Sequence, residues 1–300
     1  GIHSKQEIEN YGVEPFIHRC IQSVFRYTKE WEELTRRLGF WVNLDEAYVT
    51  YHKSYVESVW WALKNLFDRG LLYQGHKVVW WWAQGGTALS SGEVGEGYRD
   101  ADDPSVFVRF KLKEPARLGV AEAPGVPTSL LAWTTTPWTL SSNVALAAGA
   151  DFDYVLLEYA KEGQRERFVL AESLIEKTFH GLHVDLEKDL VVLKRMKGSD
   201  LVGLHYEPVL RYMDPTAGRK WEVENADFVT LDAGTGIVHI APAFGEDDYR
   251  FAKEKGFGFL QMVLPDGTFR AEQKEVAGRF CKEADKDVIA LLKEIGRAHV

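Results

Sequence analysis

The chain has 300 residues, of which 45% are hydrophobic and 27% are charged, enough for one large domain or two smaller ones. Its formal net charge of −9 argues against a protein whose entire surface binds nucleic acid, because such binding depends on Lys and Arg neutralising phosphates. A local contact with one strand end stays open. The sequence contains no apolar run long enough to cross a membrane and no signal peptide at its start, so we expect a cytoplasmic protein without a membrane partner.

The region from residue 4 to about residue 70 predicts helices. Ser4 and Glu7 have the spacing of a capping box. Apolar residues then recur every three or four positions over 15–38, which is typical of one helix face, and Gly39 suits the left-handed position after a helix end. A second helix is predicted after a loop at 40–51, and Gly70 ends it.

The next segment predicts a strand, at 71–73 and 78–82, followed by a turn at Gly85-Gly86. Two helices that lead into a buried strand are typical of part of an α/β layer. The chain has 10 tryptophans, several of them clustered at 60–61 and 80–82. Such clusters more often indicate a buried core than a surface on which bases stack.

From about residue 85 the pattern predicts a β-rich domain, plausibly a barrel, so the fold class is α+β. The predicted strands are 106–112, 130–135, 144–147, 154–158, 167–170, 191–193, 228–231 and 237–240. Helices are predicted only at 246–255 and 282–294, the first of which begins with acidic residues that the helix dipole favours.

One stretch, 131–143, combines a buried strand with a row of hydroxyls. Thr134, Thr135 and Thr136 are β-branched and suit a strand, whereas Pro137 cannot donate to a sheet and therefore ends it. Trp138 would stand beside these hydroxyls as an apolar wall, an arrangement that suits a small ligand with polar and apolar parts. The alternative is a threonine-rich edge strand that runs into a turn.

A second stretch, 234–249, carries two ionisable groups on different elements. A glycine turn leads into a short strand that contains His239, and Asp248 lies at the start of the following helix. A strand end and a helix start can direct these side chains into one cavity. Alternatively, the histidine is a hydrogen-bonded structural residue and the aspartate a helix cap.

These two stretches resemble the editing domain of isoleucyl-tRNA synthetases. The resemblance rests on Trp-Thr-Thr-Thr-Pro-Trp-Thr-Leu at 133–140, Gly-Thr-Gly-Ile-Val-His at 234–239 and Ala-Pro-Ala-Phe-Gly-Glu-Asp-Asp-Tyr at 241–249, which follow one another in the family's order. It implies a β-rich insertion within a class I catalytic domain. The related enzymes for valine and leucine carry Thr-Thr-Arg-Pro in the first motif, and Thr136 stands here in place of that arginine.

The resemblance extends over nearly the whole chain and implies two domains. Segments 4–9 and 57–63 are similar to the catalytic domain just before the insertion, so we expect 1–84 to be catalytic-domain helices and 85–300 the editing domain. The His-Ile-Gly-His and Lys-Met-Ser-Lys-Ser motifs of aminoacylation are absent. We therefore expect an excised piece of a longer enzyme, in which ATP and Mg²⁺ serve the parent and the fragment needs no cofactor.

No metal is expected in the fragment. Many members of the family carry a Cys-Pro-x-Cys-Gly zinc knuckle, and Trp82 and Gly85 occupy its cysteine positions here. Cys20 and Cys281 have no close partner in sequence and are expected to be buried thiols. The remaining histidines of interest (His180, His183 and His205) lack a ligand-like set of neighbours and are expected to be surface or structural residues.

The resemblance also implies roles for individual residues. The predicted catalytic residues are Thr134, Thr135, Thr136, His239 and Asp248, and the predicted substrate-binding residues are Trp138, Thr139, Asn143 and Phe244. Asp248 would hold the ammonium of a misplaced amino acid, and His239 would exclude the larger isoleucine side chain. The three threonines would hold the ester or mixed anhydride and the attacking water, and Asn143 would bind the terminal adenosine or orient a hydroxyl.

The function implied is hydrolysis of valyl-tRNA(Ile) and valyl-adenylate by a monomer. A pocket built for isoleucine rejects valine poorly, because one missing methylene is worth only about 1–3 kcal/mol, a value for which this enzyme family is itself the standard example. The sequence has no Gly-x-Ser-x-Gly, Cys–His or His-Glu-x-x-His set, which favours direct attack by a positioned water. His239 as a general base, an editing domain for valine or leucine enzymes, and a non-catalytic module that binds the tRNA 3′ end stay as alternatives.

Overall fold

The computed structural model describes residues 1–121, 123–161, 163–180 and 184–299, so the prediction for His183 lies outside the described residues. The chain forms two compact units, Gly1–Lys77 and Val78–Val300. The boundary between them lies at 77/78, whereas the domains predicted from the family resemblance meet at 84/85.

The first unit is helical. Its α-helices are α1 (Lys5–Tyr11), α2 (Val13–Val24), α3 (Thr28–Arg37) and α4 (Lys53–Asp68), and a 3₁₀ turn, Phe25–Tyr27, separates α2 from α3. The Ser4 hydroxyl accepts a hydrogen bond from the Glu7 amide, as its predicted capping role requires. Gly39 and Gly70 adopt left-handed φ angles of 78° and 69° and terminate the helices that precede them, as predicted.

The tryptophan clusters are not buried, which corrects the expectation that they form a core. Trp60 and Trp61 on α4 are 68% and 70% exposed, and all three tryptophans at 80–82 are also exposed. Trp60 lies on α4 as its apolar spacing predicted, but the residues of the first unit do not cover it. Apolar periodicity in sequence indicates a face suited to burial and does not reveal what packs on it.

The second unit begins with a short hairpin. Its strands β1 (Trp81–Trp82) and β2 (Thr87–Ala88) pair antiparallel around a turn in which Gly86 has a φ of 63°, and α5 (Ser91–Glu96) follows. The predicted strand at 71–73 and 78–82 is therefore reduced to two residues. A strand needs a hydrogen-bonded neighbour, and among the described residues only Trp81 and Trp82 of this stretch have one.

Two sheets form the body of the second unit. The larger has the order β11-β3-β4-β7-β6-β8 and the smaller the order β10-β5-β9, and neighbours are antiparallel except for β4 with β7 and β5 with β9. The strands are β3 (Val106–Lys111), β4 (Thr128–Thr134), β5 (Ala145–Ala148), β6 (Asp153–Lys161), β7 (Gln164–Ala171), β8 (Leu190–Lys197), β9 (Val223–Asn225), β10 (Ile237–Ile240) and β11 (Ala298–His299). The predicted α+β class with a β-rich domain is confirmed.

The helices of this unit are short and lie beside the sheets. Besides α5, they are α6 (Ile175–Phe179), α7 (Glu246–Lys255) and α8 (Asp285–Glu294), the last beginning three positions later than predicted. Within the described ranges, we find no helix of the length and apolarity that crossing a bilayer requires.

The predicted strand at 228–231 is wrong. Phe228 and Val229 pack from a loop against α7, where the ring centroids of Phe228 and Phe251 are 5.9 Å apart in an edge-to-face arrangement. The strand in this part of the chain is β9, slightly earlier. The short apolar run at 228–231 therefore indicates burial but not pairing of the backbone with a neighbouring strand.

Four element ends meet at one place. Strand β4 is almost entirely buried and leads into a 3₁₀ helix, Pro137–Ser142, because proline begins a helix well but cannot extend a sheet. Strand β10 pairs with β5, with His239 opposite Leu146, and β10 also packs beside β4. The loop after β10 then reaches the start of α7, so both predicted motifs border the same space.

Candidate functional site

A cavity of about 310 Å³ lies where these elements meet. Its lining residues are Trp133, Thr134, Thr135, Thr136, Trp138, Thr139, Val238, His239, Ala241, Phe244, Gly245 and Asp248. The structure thus brings together eight of the nine residues singled out in the sequence, and only Asn143 is absent from the lining. The volume is at the lower end of the range found for small-molecule sites.

The threonine end of the cavity is fixed by hydrogen bonds among its own residues. The Thr134 hydroxyl accepts from the Thr136 amide at 3.0 Å and lies 3.1 Å from the Thr136 hydroxyl. Thr139, one turn later, donates its hydroxyl proton to the Thr136 carbonyl at 2.8 Å. Thr135 is the exposed member of the three, so its side chain faces solvent at the cavity.

His239 lies beside the threonine end with both ring nitrogens engaged. Its Nε2 is 2.7 Å from the Thr139 hydroxyl, and its Nδ1 is 3.1 Å from the Asn143 side-chain nitrogen. Burial lowers the pKa of His239 from 6.5 to about 4, because the charged imidazolium loses its water. The ring is therefore neutral at physiological pH, and its position is set by two neighbouring side chains.

Asn143, which was predicted to bind the substrate, does not line the cavity. It is 3% exposed, its side-chain nitrogen donates to the Ala145 carbonyl at 2.8 Å, and its side-chain oxygen accepts from the Tyr206 hydroxyl at 2.7 Å. Its polar atoms are engaged within the protein, and its side-chain nitrogen contacts His239 Nδ1. Sequence proximity to the threonine motif did not reveal the direction of its side chain.

Asp248 lies in the first turn of α7 and contributes a carboxylate to the cavity. Its Oδ2 accepts a hydrogen bond from the Ala241 amide at 2.8 Å. Burial raises the pKa of Asp248, since the charged carboxylate is shielded from water, and the nearby Asp247 adds to the effect. Within the described part of the chain no cation forms an ion pair with it, so the carboxylate is available to a positively charged ligand.

The apolar wall of the cavity is formed by two aromatic rings. Trp138 and Phe244 pack edge to face with their centroids 4.7 Å apart. The backbone amide of Trp138 donates to Asp285 Oδ1 at 3.0 Å, which attaches the 3₁₀ helix to the start of α8. Burial raises the pKa of Asp285 to about 6.

Several residues of this site were not identified from the sequence. Trp133, Val238, Ala241 and Gly245 line the cavity. They adjoin the recognised motifs, so their position in the chain could have suggested them. Asp285 was read only as part of a predicted helix, and Tyr206 carries no local signal because its contact with Asn143 joins distant segments.

Comparison with known proteins places the chain in a family. The family described as tRNA synthetases class I (I, L, M and V) matches residues 1–263. The isoleucine–tRNA ligase of Clostridium kluyveri is 44% identical over 98% of this chain, and that of Thermus thermophilus is 44% identical over 99%. The chain spans 26% of the length of each of these relatives.

Solved structures share the fold at low sequence identity. The editing domain of the P. falciparum cytosolic leucyl-tRNA synthetase aligns with 65% of this chain and 98% of its own, with a TM-score of 0.50 at 11% identity. The corresponding P. knowlesi domain aligns with 67% and 97%, with a TM-score of 0.50 at 13% identity. These likenesses concern the fold, whereas the family match spans most of the sequence, and the chain therefore belongs to the class I tRNA synthetases of the I, L, M and V group.

Proposed function

We propose that the second unit is the editing domain of an isoleucine–tRNA ligase, which hydrolyses valine from mischarged tRNA(Ile) and from valyl-adenylate. The observation that carries this proposal is one cavity of about 310 Å³ that joins a hydroxyl row, a buried neutral imidazole and a half-buried carboxylate. The parent enzyme would use ATP and Mg²⁺ in the cytoplasm, and the fragment would act as a monomer without a cofactor.

Asp248 would bind the α-ammonium of the amino acid. Its carboxylate is half-buried, has a raised pKa and is held in place by the Ala241 amide. An incoming ammonium would supply the missing positive charge and form a charge-assisted hydrogen bond. Because this contact is common to all amino acids, it anchors the substrate without selecting its side chain.

His239 would select against isoleucine by its bulk. A general base would need a free nitrogen lone pair, but Nδ1 lies against the Asn143 amide and Nε2 against the Thr139 hydroxyl. The packed ring instead supports a steric role, together with the wall formed by Trp138 and Phe244. Rejection by bulk can exceed the small preference available from one methylene, since a clash is costly in a packed site.

Hydrolysis would proceed by direct attack of water on the ester or mixed anhydride. Thr134 and Thr136 hold each other in place, and the exposed Thr135 hydroxyl faces solvent at the same end of the cavity. These groups would orient the carbonyl and the water, and the bond that breaks is already activated. Placement of the reactants would then supply most of the rate enhancement.

The proposal is tested with the 300-residue chain and separately prepared valyl-tRNA(Ile) and isoleucyl-tRNA(Ile). Asp248→Asn is expected to lower hydrolysis of the valyl ester by about tenfold to a hundredfold, the value of one charged hydrogen bond. Asp247→Asn is the matched control, because Asp247 is exposed and pairs with Arg250 in the same helical turn. Equal rates for the parent chain and Asp248→Asn would refute the ammonium anchor.

Two further measurements separate the alternatives. Faster hydrolysis of threonyl-tRNA than of valyl-tRNA would indicate an editing domain of a valine enzyme, against the evidence of Thr136. Saturable binding of a non-hydrolysable valyl-adenosine analogue without turnover of either ester would indicate a module that only binds the tRNA end.

A further inference from the structure

Tyr206 is fully buried yet places its one polar atom next to the support of His239. Its ring packs edge to face on Phe110, with centroids 5.2 Å apart, and its hydroxyl lies 2.7 Å from the Asn143 side-chain oxygen. Tyr206 is distant in sequence from both motifs and does not line the cavity. Removing a buried hydroxyl leaves its partner without a hydrogen bond, so the contact has a structural cost if it is lost.

The protons in this group of residues can be assigned one by one. The Ala145 carbonyl can only accept, so the Asn143 atom 2.8 Å from it must be the amide nitrogen. The amide oxygen therefore faces Tyr206 and accepts its hydroxyl proton. The second proton of the amide nitrogen points to His239 Nδ1 at 3.1 Å, so Nδ1 is an acceptor and the ring proton is on Nε2.

The hydrogen bond at His239 Nε2 is consistent with a proton on that nitrogen. The Thr139 hydroxyl donates its proton to the Thr136 carbonyl at 2.8 Å, so its oxygen can accept from His239 Nε2 at 2.7 Å. Each residue therefore donates to the next. Tyr206 donates to Asn143, and Asn143 donates to His239. His239 then donates to Thr139, which donates to the backbone carbonyl of Thr136. Each residue in the series has one arrangement that satisfies all its neighbours.

Trp221, which contacts the backbone of Asn143, has a strained backbone conformation. Trp221 has a φ of 55°, a left-handed conformation that is rare for a bulky residue, and its indole Nε1 donates to the Asn143 carbonyl at 3.2 Å. The Tyr206 amide in turn donates to the Trp221 carbonyl at 3.0 Å. Strain of this kind persists only where the surroundings hold it, and it often accompanies functional sites.

We propose that Tyr206 is a positioning residue that, through Asn143, holds the His239 ring in its Nε2–H tautomer and in the orientation that excludes isoleucine. The effect on selectivity rests on the proposed function, whereas the effect on the tautomer does not. Without the hydroxyl, the buried Asn143 oxygen has no hydrogen-bond partner, so the side chain loses the contact that holds its amide nitrogen against His239 Nδ1 and is free to shift. His239 Nδ1 then loses the Asn143 amide as a fixed hydrogen-bond donor.

The experiment is a nitrogen–proton correlation spectrum of the histidine rings in the 300-residue chain. The parent chain should show His239 as the neutral Nε2–H tautomer, assigned by its loss in His239→Gln. Tyr206→Phe, which keeps the ring, should shift both His239 nitrogens towards an average of the two tautomers. An Nδ1–H ring in the parent chain, or an unchanged His239 signal in Tyr206→Phe, would overturn the proposal.

The matched control is Tyr154→Phe. Tyr154 is also fully buried, and its hydroxyl donates to the Gly236 carbonyl at 2.5 Å and accepts from the Gly149 amide at 3.0 Å, so it takes no part in the hydrogen bonds that reach His239. Both variants lose one buried hydroxyl, but only Tyr206→Phe should change the His239 spectrum. The same spectral change in Tyr154→Phe would show a general loosening of the core and refute a specific role for Tyr206.

Hydrolysis assays then test the consequence for selectivity. In Tyr206→Phe, the rate on isoleucyl-tRNA(Ile) relative to valyl-tRNA(Ile) should rise about tenfold, the value of one lost hydrogen bond. An altered tautomer without this rise would support positioning by Tyr206 and refute the steric role of His239. A rise without an altered tautomer would overturn the positioning proposal and leave the proposed function intact.

Discussion

The backbone amide of Trp138 lies 3.0 Å from Oδ1 of Asp285, so a carboxylate at the start of α8 caps the 3₁₀ helix that forms one wall of the cavity. Asp285 is 2% exposed, and its second oxygen has no hydrogen-bond partner among the residues that the structure describes. The carboxylate thus holds the wall in place but is poorly solvated, which predicts a measurable pH dependence.

Asp285→Asn should become more stable relative to the parent chain as the pH rises. The pKa of Asp285 is about 6 in the folded chain and 3.8 without burial, so between these values the folded state binds the extra proton. Its stability therefore falls as the pH rises through this window, and the cost is complete above pH 6. The neutral asparagine escapes this cost of about 2–3 kcal/mol. Urea denaturation of both proteins at several pH values measures the difference, and parallel pH profiles would contradict the assignment.

Gly245→Ala should impair hydrolysis without unfolding the protein. Gly245 has a φ of −129°, which any residue can adopt, but a Cβ atom there would lie 2.9 Å from Cγ of Asp248. The carboxylate must move, and a displacement of the order of 1 Å at a site can cost about a hundredfold in rate. Gly95→Ala is the control, since its Cβ meets nothing within 4 Å. Unimpaired hydrolysis of valyl-tRNA by Gly245→Ala would show that the position of Asp248 is not critical.

His239 should contribute to acid sensitivity but not to the pH dependence of the rate near neutrality. Its pKa is about 4 in the folded chain and 6.5 without burial. As the pH falls through this window, the unfolded chain binds a proton that the folded chain does not, so stability is lost, by about 3 kcal/mol in full. His239→Gln should lack this loss in urea denaturation. A rate inflection near pH 6.5 that disappears in His239→Gln would instead favour the general-base alternative.

Thr139→Val should weaken the exclusion of isoleucine, whereas Thr139→Ser should retain it. Valine has nearly the shape of threonine but cannot accept from His239 Nε2 or donate to the Thr136 carbonyl. The buried imidazole proton then lacks a partner, at a cost of about 1–3 kcal/mol. The measurements are hydrolysis rates on both aminoacyl-tRNAs and the thermal midpoint. Identical selectivity in the two variants would mean that the hydroxyl plays no part in holding the ring.

The sequence motifs predicted which residues lie together, but not the direction of every side chain. The threonine motif and His239 are separated by many residues, yet both line the predicted cavity, because each motif ends an element at the same place. The direction of the Asn143 side chain could not be read, since a polar residue beside a motif can face the ligand or the core. Tyr206 was missed for the same reason, because its hydrogen bond depends on tertiary structure alone.

The fold was predictable where patterns are long and ambiguous where they are short. Helix α4 follows the apolar periodicity from which it was predicted, and strands β3, β4, β6 and β7 of the larger sheet overlap the apolar runs predicted as strands, whereas the two-residue strand β11 was not predicted. The run at 228–231 has the composition of a strand but packs from a loop, and the tryptophans at 60–61 have the spacing of a core face but lie exposed. In both cases the outcome depends on neighbouring elements that local sequence does not specify.

The carboxylate of Asp248 is half-buried without a counter-ion from the described residues, and its raised pKa shows that its charged form carries an electrostatic penalty in the unliganded cavity. Such a penalty makes the free protein less stable than its packing would allow, and an ammonium ligand that enters the cavity relieves it. The lower stability of the free protein therefore favours binding of an amino group, because binding removes the penalty. A substitution that removes the charge of Asp248 would stabilise the free protein, but it would also remove the attraction for the ammonium on which recognition depends.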